Sequence, residues 1–172
     1  MSFEPAIAAC GSGPPSEREQ LAGRLEAHPF LSGLPREQVA TLAEYASATN
    51  FVAGQWIFQE GDLANRFYLI LDGCVALEAA LPGGGTRVID HIGPGEVLGW
   101  SWMFPPFRWH FAARSLVATK AIFVYGTWLL ECCEADTALG YELTKRMAVV
   151  AIGRLQSARS QLAGAASAGR HG

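Results

Sequence analysis

The spacing of apolar and polar positions changes twice along the chain. From Ser16 to Ala46 apolar residues recur at helical intervals. Ser16 with Glu19 three residues on forms a capping-box signature, predicting a helix from Glu17 to about Ala27 that stops before Pro29. Pro35 opens a second helix carrying the stripe Val39, Leu42, Ala43 and Ala46. From Thr49 to Tyr125 the pattern becomes short apolar runs cut by turn residues. Phe51-Val52 ends at Gly54, Trp56 to Phe58 at Gly61-Asp62, and Phe67 to Leu71 at Asp72-Gly73. The run Phe67 to Leu71 is continuously apolar, as for a strand buried on both faces. Val75, Leu77 and Ala79 follow, then a glycine-rich loop at 83–85, Val88 to Ile92, Ala112 to Val117 and Ala121 to Tyr125. Short strands at this spacing predict an antiparallel sandwich or jelly roll.

After Thr127 the helical period returns. A short helix from Thr127 to Cys133 precedes a longer one, capped by Asp136, from 136 to about 163. Ala148, Ile152, Leu155 and Leu162 are spaced by four, three and seven residues, a seam that suits a partner helix and predicts a homodimer. The alternative is that the first turns of this helix fold back on the sheets. Residues 1–16 read as a flexible lead-in, 17–135 as the helices and strands of one domain, 136–163 as a dimerisation or relay helix, and 164–172 as a flexible tail.

One stretch fits no period. Pro94 to Arg114 holds three of the five tryptophans, a Pro105-Pro106 break and the cluster Phe107-Arg108-Trp109-His110-Phe111. Set between readable strands, it is either a ligand pocket or a bulky core plug.

Composition narrows the chemistry. Half of the 172 residues are apolar and 17% are charged, with a net charge of −3, which excludes a generally basic nucleic-acid binder. Beyond Glu142 there is no acid, while Lys145, Arg146, Arg154, Arg159 and Arg170 remain; this basic end is a solvated helix face or an unspecific contact for nucleic acid or acidic lipid. Cys10, Cys74, Cys132 and Cys133 have no ligand spacing and read as small apolar residues in a reducing compartment. Neither a secretion signal nor an 18-residue apolar run is seen, so a cytoplasmic protein without a membrane span is expected. His28, His91, His110 and His171 form no His-x-His pair, so no metal site is expected and the chain reads as non-catalytic.

Four words in order carry a family resemblance: Phe30-Leu31-Ser32-Gly33-Leu34, the turn Gly54 to Asp62, Phe67 to Gly73, and Gly93-Pro94-Gly95-Glu96-Val97-Leu98-Gly99. Over about residues 28 to 160 the chain resembles the cyclic-nucleotide-binding domains of the bacterial catabolite-activator and oxygen-sensor regulators. The resemblance implies an α+β, mainly β fold: an eight-stranded antiparallel jelly roll with short N-terminal helices and a long C-terminal helix. It implies a regulatory or sensor role and a phosphate-binding cassette over Gly99, Trp100, Ser101, Trp102, Arg108, Trp109, His110 and Arg114. In the family a glutamate follows the glycine corresponding to Gly99 and takes the ribose hydroxyl, and an arginine holds the phosphate. Here Trp100 stands at the first position, and counting back from Arg114 puts Trp109 at the second, with Arg108 one residue away.

Three outcomes stay open: cyclic AMP or cyclic GMP in a shifted register, another small anionic ligand among the aromatics, or tryptophans filling the vacated space. The chain as given ends within about ten residues of the long helix, so no sequence-specific DNA reading is expected. The output would pass through that helix to a second copy or an unidentified protein partner.

Overall fold

In a computed structural model, residues 16–168 are described, and side chains through residue 160. The lead-in at 1–15, with Cys10, and the last four residues, with Arg170 and His171, lie outside the described part.

The elements run α1 (Glu17–Glu26), a 3₁₀ turn (Pro29–Leu31), α2 (Arg36–Glu44), β1 (Ala46–Phe51), β2 (Trp56–Phe58), β3 (Arg66–Asp72), β4 (Val75–Ala80), β5 (Thr86–Ile92) and β6 (Val97–Leu98). A second 3₁₀ turn (Ser101–Met103), β7 (Ala112–Ser115), β8 (Thr119–Tyr125), α3 (Gly126–Ala135) and α4 (Thr137–Ala168) follow. The eight strands form two four-stranded antiparallel sheets, ordered β1-β8-β3-β6 and β2-β7-β4-β5. This is the expected jelly roll.

Side-chain alternation along the strands produces two cores. Phe51, Tyr68, Ile70, Leu98 and Ala121 of the first sheet face Val75, Leu77, Ile92 and Ala113 of the second and fill the roll. Phe67, Leu69, Val97, Ile122 and Val124, on the other side of the first sheet, pack against Leu25, Val39 and Leu42 of α1 and α2 and against Leu129, Leu139, Leu143 and Met147 of α3 and α4. The first sheet is therefore covered on both faces, which is why β3 reads as an unbroken apolar run.

The caps behave as their chemistry requires. Ser16 and Glu19 exchange both bonds of a capping box, with the Glu19 amide donating to Ser16 Oγ at 3.3 Å and the Ser16 amide to Glu19 Oε2 at 2.6 Å. Asp136 caps α4, accepting the amides of Ala138 and Leu139 at 3.0 Å and the Gln38 amide group at 2.8 Å.

Two boundaries differ from the sequence reading. The first strand begins at Ala46, three residues before Thr49, because Ala46 to Ala48 pair with β8 although their small and polar side chains show no apolar alternation. Helix α4 continues to Ala168, so residues 164–168 are helix and not tail; the alanine-rich sequence there favours helix enough to outlast Gly164.

Helix α4 has two distinct sides. Leu139, Leu143 and Met147 are buried against the roll, whereas Val149, Ile152 and Leu155 are 68, 56 and 70% exposed and Ala148 is exposed beside them. Leu162 lies beyond the described side chains. No helix among the described residues is long and apolar enough to cross a membrane.

Candidate ligand pocket

The mouth of the roll is built on the turn before β6. The Gly93 amide donates to Glu96 Oε2 at 2.6 Å, and the Gly95 amide to the Ile70 carbonyl at 2.9 Å. Gly99 then takes a left-handed backbone, φ +88°, which a glycine adopts without steric cost. From here the chain makes one 3₁₀ turn, too short for a row of free helix amides, and crosses the cis Pro105-Pro106 bond to rejoin the sheet.

The tryptophans divide between the two cores. Trp102 turns away from the roll interior; its indole N–H donates to the Gly99 carbonyl at 2.9 Å, and its ring packs with Phe67 in the helix-side core. Trp109 enters the roll, 5% exposed, and stacks on Phe58 with centroids 3.8 Å apart and planes within 10°. Its backbone is pinned by exchange with the turn after β2: the Trp109 amide donates to the Asp62 carbonyl and the Gly61 amide to the Trp109 carbonyl, both at 2.9 Å. Trp100 stacks on His110 at 5.2 Å, and His110 Nδ1 is hydrogen-bonded to the buried Ser101 hydroxyl at 3.0 Å.

The arginines are engaged elsewhere. Arg108 Nη1 donates to the Gly61 carbonyl at 2.7 Å on the exposed side of the same turn. Arg114 follows Ala113, which faces the roll interior, so strand alternation places it on the opposite face. There its Nε and Nη2 hold Glu78 Oε1 at 2.9 and 2.7 Å, with the Trp56 ring 5.2 Å from the guanidinium carbon. Glu78 is 1% exposed and also accepts the Thr86 hydroxyl. Burial works to raise the Glu78 pKa, but the Thr86 and Arg114 bonds and the Arg114 charge outweigh it and hold the carboxyl below its usual range.

Between Phe58, Leu77, Gly99, Trp100 and Trp109 a cavity of about 10 Å³ remains. Small-molecule sites occupy roughly 300–1,000 Å³. Arg154 of α4, which donates through Nη2 to the Val97 carbonyl, also lines this cavity.

Phe58 and Arg154 complete the site and were not singled out from the sequence. Arg154 left a readable signal: it continues the roll-facing stripe Leu139, Leu143, Met147, Val150 at steps of four, four, three and four. An arginine in such a stripe must find a polar partner.

The remaining rival chemistries find little to work with. Among the described residues no three His, Cys, Asp or Glu side chains are grouped as metal ligands. Cys74, Cys132 and Cys133 are free thiols. Burial, with neighbouring Cys132, Asp136 and Glu134, pushes the Cys133 pKa up to about 11, so it is not a ready nucleophile at neutral pH.

Comparison with known proteins agrees with the geometry. The family described as the cyclic nucleotide-binding domain matches residues 48–136, more than half of the chain. The cyclic AMP receptor protein of Thermus thermophilus is 33% identical over 75 residues, covering 44% of this chain and 35% of its own length. The CRP-like cAMP-activated global transcriptional regulator of Mycobacterium tuberculosis is 23% identical over 122 residues, covering 69% of this chain and 54% of its own. The chain thus spans about half or less of these curated relatives. Among solved structures, a putative cyclic nucleotide-binding protein of Geobacter metallireducens superposes with a TM-score of 0.69 at 28% identity, covering 78% of this chain and 97% of that one. The regulatory subunit of a cAMP-independent protein kinase A from Trypanosoma brucei, at 20% identity, shares the fold with a TM-score of 0.71 over 84% of this chain and 51% of its own. By its eight-stranded roll, its flanking helices and this family match, the chain belongs to the cyclic nucleotide-binding domain family.

Proposed function

We propose that this chain is a non-catalytic regulatory domain whose cyclic-nucleotide pocket is closed by its own side chains, and that it works through α4 as a homodimer. The observation that carries this reading is the stack of Trp109 on Phe58, which leaves a cavity of about 10 Å³ where a nucleotide would need several hundred. The resemblance assigns the ribose and phosphate contacts to the positions of Trp100 and Trp109, neither of which carries the required charge. Arg108 is spent on a backbone carbonyl of the neighbouring turn. A pocket that has lost its polar partners discriminates against its former ligand by several kcal/mol.

The exposed row Ala148, Val149, Ile152 and Leu155 supports the second half of the reading. An apolar stripe at coiled-coil spacing on the outer side of a long helix fits a second copy of the same helix. Three described cysteines are free thiols, which suits the cytoplasm.

Calorimetric titration with cyclic AMP and cyclic GMP tests the pocket. The wild-type chain gives no binding heat, and a Trp100→Glu/Trp109→Arg variant, which supplies both missing charges and removes the plug, gains binding. Micromolar binding by the wild type, lost in Arg108→Ala, would overturn the proposal in favour of a nucleotide sensor in a shifted register.

A further inference from the structure

A second concavity lies outside the roll, between α4, the first 3₁₀ turn and the β5–β6 connection. It has a volume of about 480 Å³, within the range of small-molecule sites. Its lining combines three kinds of chemistry. Phe30, Val97 and Val150 supply apolar surface; Arg154 supplies a guanidinium; Asp90 and Glu96 supply carboxylates. Gly153 leaves its side open, with no heavy atom within 4 Å of where a β-carbon would stand.

The charges in this cleft are not satisfied by one another. Arg154 makes one bond, to the Val97 carbonyl, and among the described residues it has no carboxylate within ion-pair distance. Burial draws its pKa down, while Asp90 and Glu96 act on it only through space. A partly buried guanidinium with donors to spare is an anion acceptor, best matched by the two oxygens of a carboxylate. Asp90 holds the His91 amide through Oδ1, and Glu96 holds the Gly93 amide through Oε2. Among the described residues each has its second oxygen left for a donor. A ligand that was only an anion would meet these two acids and be repelled; one that was only a cation would meet Arg154.

We propose that this cleft binds a small zwitterion with an apolar body, the chemistry of a free aliphatic α-amino acid. Its carboxylate pairs with Arg154, its ammonium with Asp90 and Glu96, and its side chain lies on Phe30 and Val150. The site lies outside the plugged pocket, with which it shares Arg154, and it bridges α4 to the roll, so occupancy bears directly on the helix that carries the exposed apolar row.

Titration of the full chain with L-leucine, 4-methylpentanoate and 3-methylbutylamine, followed by amide chemical shifts and calorimetry, tests the proposal. L-leucine is expected to bind saturably, moving the amides of Gly95, Val97 and Gly153, and each truncated probe to bind at least about tenfold more weakly. Arg154→Gln abolishes this binding. Gly153→Leu fills the cleft from its open side, keeps Arg154 and favours the helix, and so removes binding without threatening the fold. The Trp109→Leu variant, which opens the roll interior and adds no charge beside Arg154, keeps L-leucine binding, which separates this site from the roll interior. No saturable shift with L-leucine, equal binding of 4-methylpentanoate, or binding that survives Gly153→Leu would each overturn the assignment.

Discussion

The edge of the Trp109 ring occupies the space that a side chain on Gly99 would need: a β-carbon built there meets Trp109 Cη2 and Cζ3 at 2.7 Å. The two residues are therefore a matched pair. The left-handed turn into the cassette stretch brings the backbone close, and the indole covers it. Gly99→Ala strains both partners. The left-handed conformation costs about 1–2 kcal/mol for an L-residue, and forcing a methyl into a packed contact adds about 1–3 kcal/mol. Urea unfolding is expected to show a loss of about 2–4 kcal/mol. In a Trp109→Leu background the same change keeps its backbone cost and loses its steric one. An equal cost in both backgrounds would show that the ring does not set the constraint.

The ion pair on the other face of the roll gives a pH-dependent prediction. Glu78 is buried with its carboxyl below the usual range, so its contribution to stability is present above the unfolded carboxylate pKa and fades as pH falls through the lower folded value. Arg114→Ala leaves a buried carboxylate with only Thr86. The expected loss is about 2–3 kcal/mol at pH 7, less than for a fully buried pair because the Arg114 side is partly solvated. The variant also begins to lose stability at a higher pH than its parent on acidification, because the Glu78 pKa rises without its cation. Denaturation midpoints between pH 7 and pH 3 check both statements.

These two sites show how unevenly the structure could be read from the residues. The unbroken apolar run of β3, the glycine turns and the capping box carry local physics, and each element stands where its pattern places it. The family words carried the topology, because strand order β1-β8-β3-β6 is a matter of which strands meet across the chain. What stayed hidden is direction. Nothing in Trp100-Ser101-Trp102 says that Trp102 turns to the helix side while Trp100 stacks on His110, since a single 3₁₀ turn imposes no long period. The partner of Arg114 was equally invisible, because Glu78 lies 36 residues earlier and meets it only through the β4–β7 pairing. Arg154 was legible in principle, as a charge in a buried stripe, but its partner is a backbone carbonyl that no side-chain pattern announces.

The outer face of α4 predicts the state of association. Ile152 and Leu155 are more than half exposed and neighbour each other at helical spacing. Replacing both with aspartate removes an apolar seam from an assembly but costs an isolated exposed helix only about 0.5 kcal/mol per site. Sedimentation is expected to show a dimer for the wild type and a monomer for Ile152→Asp/Leu155→Asp, with unchanged circular dichroism. A monomeric wild type at micromolar concentration would show that this row is not a dimer seam.

His28 links the N-terminal helices to the roll and sets a second pH dependence, opposite in origin to that of Glu78. It is buried; its Nδ1 accepts the Phe30 amide at 3.3 Å, so the proton sits on Nε2, which donates to the Ile70 carbonyl at 3.2 Å. Burial lowers its pKa below the ordinary value of 6.5, and the Ile70 bond only partly opposes that shift. A second proton on Nδ1 would face an N–H donor instead of an acceptor. The unfolded chain therefore takes up a proton near pH 6.5 while the folded one resists it, so stability is full above that value and declines as pH falls below it. His28→Gln keeps a polar group at the position and removes the titration. Comparing urea midpoints at pH 7.5 and 5.5, the wild type is expected to lose more stability than the variant. Equal losses would mean that the ring is already free to take its proton in the folded state, and the link between the 3₁₀ turn and β3 would then rest on apolar packing such as Phe30 against Phe67.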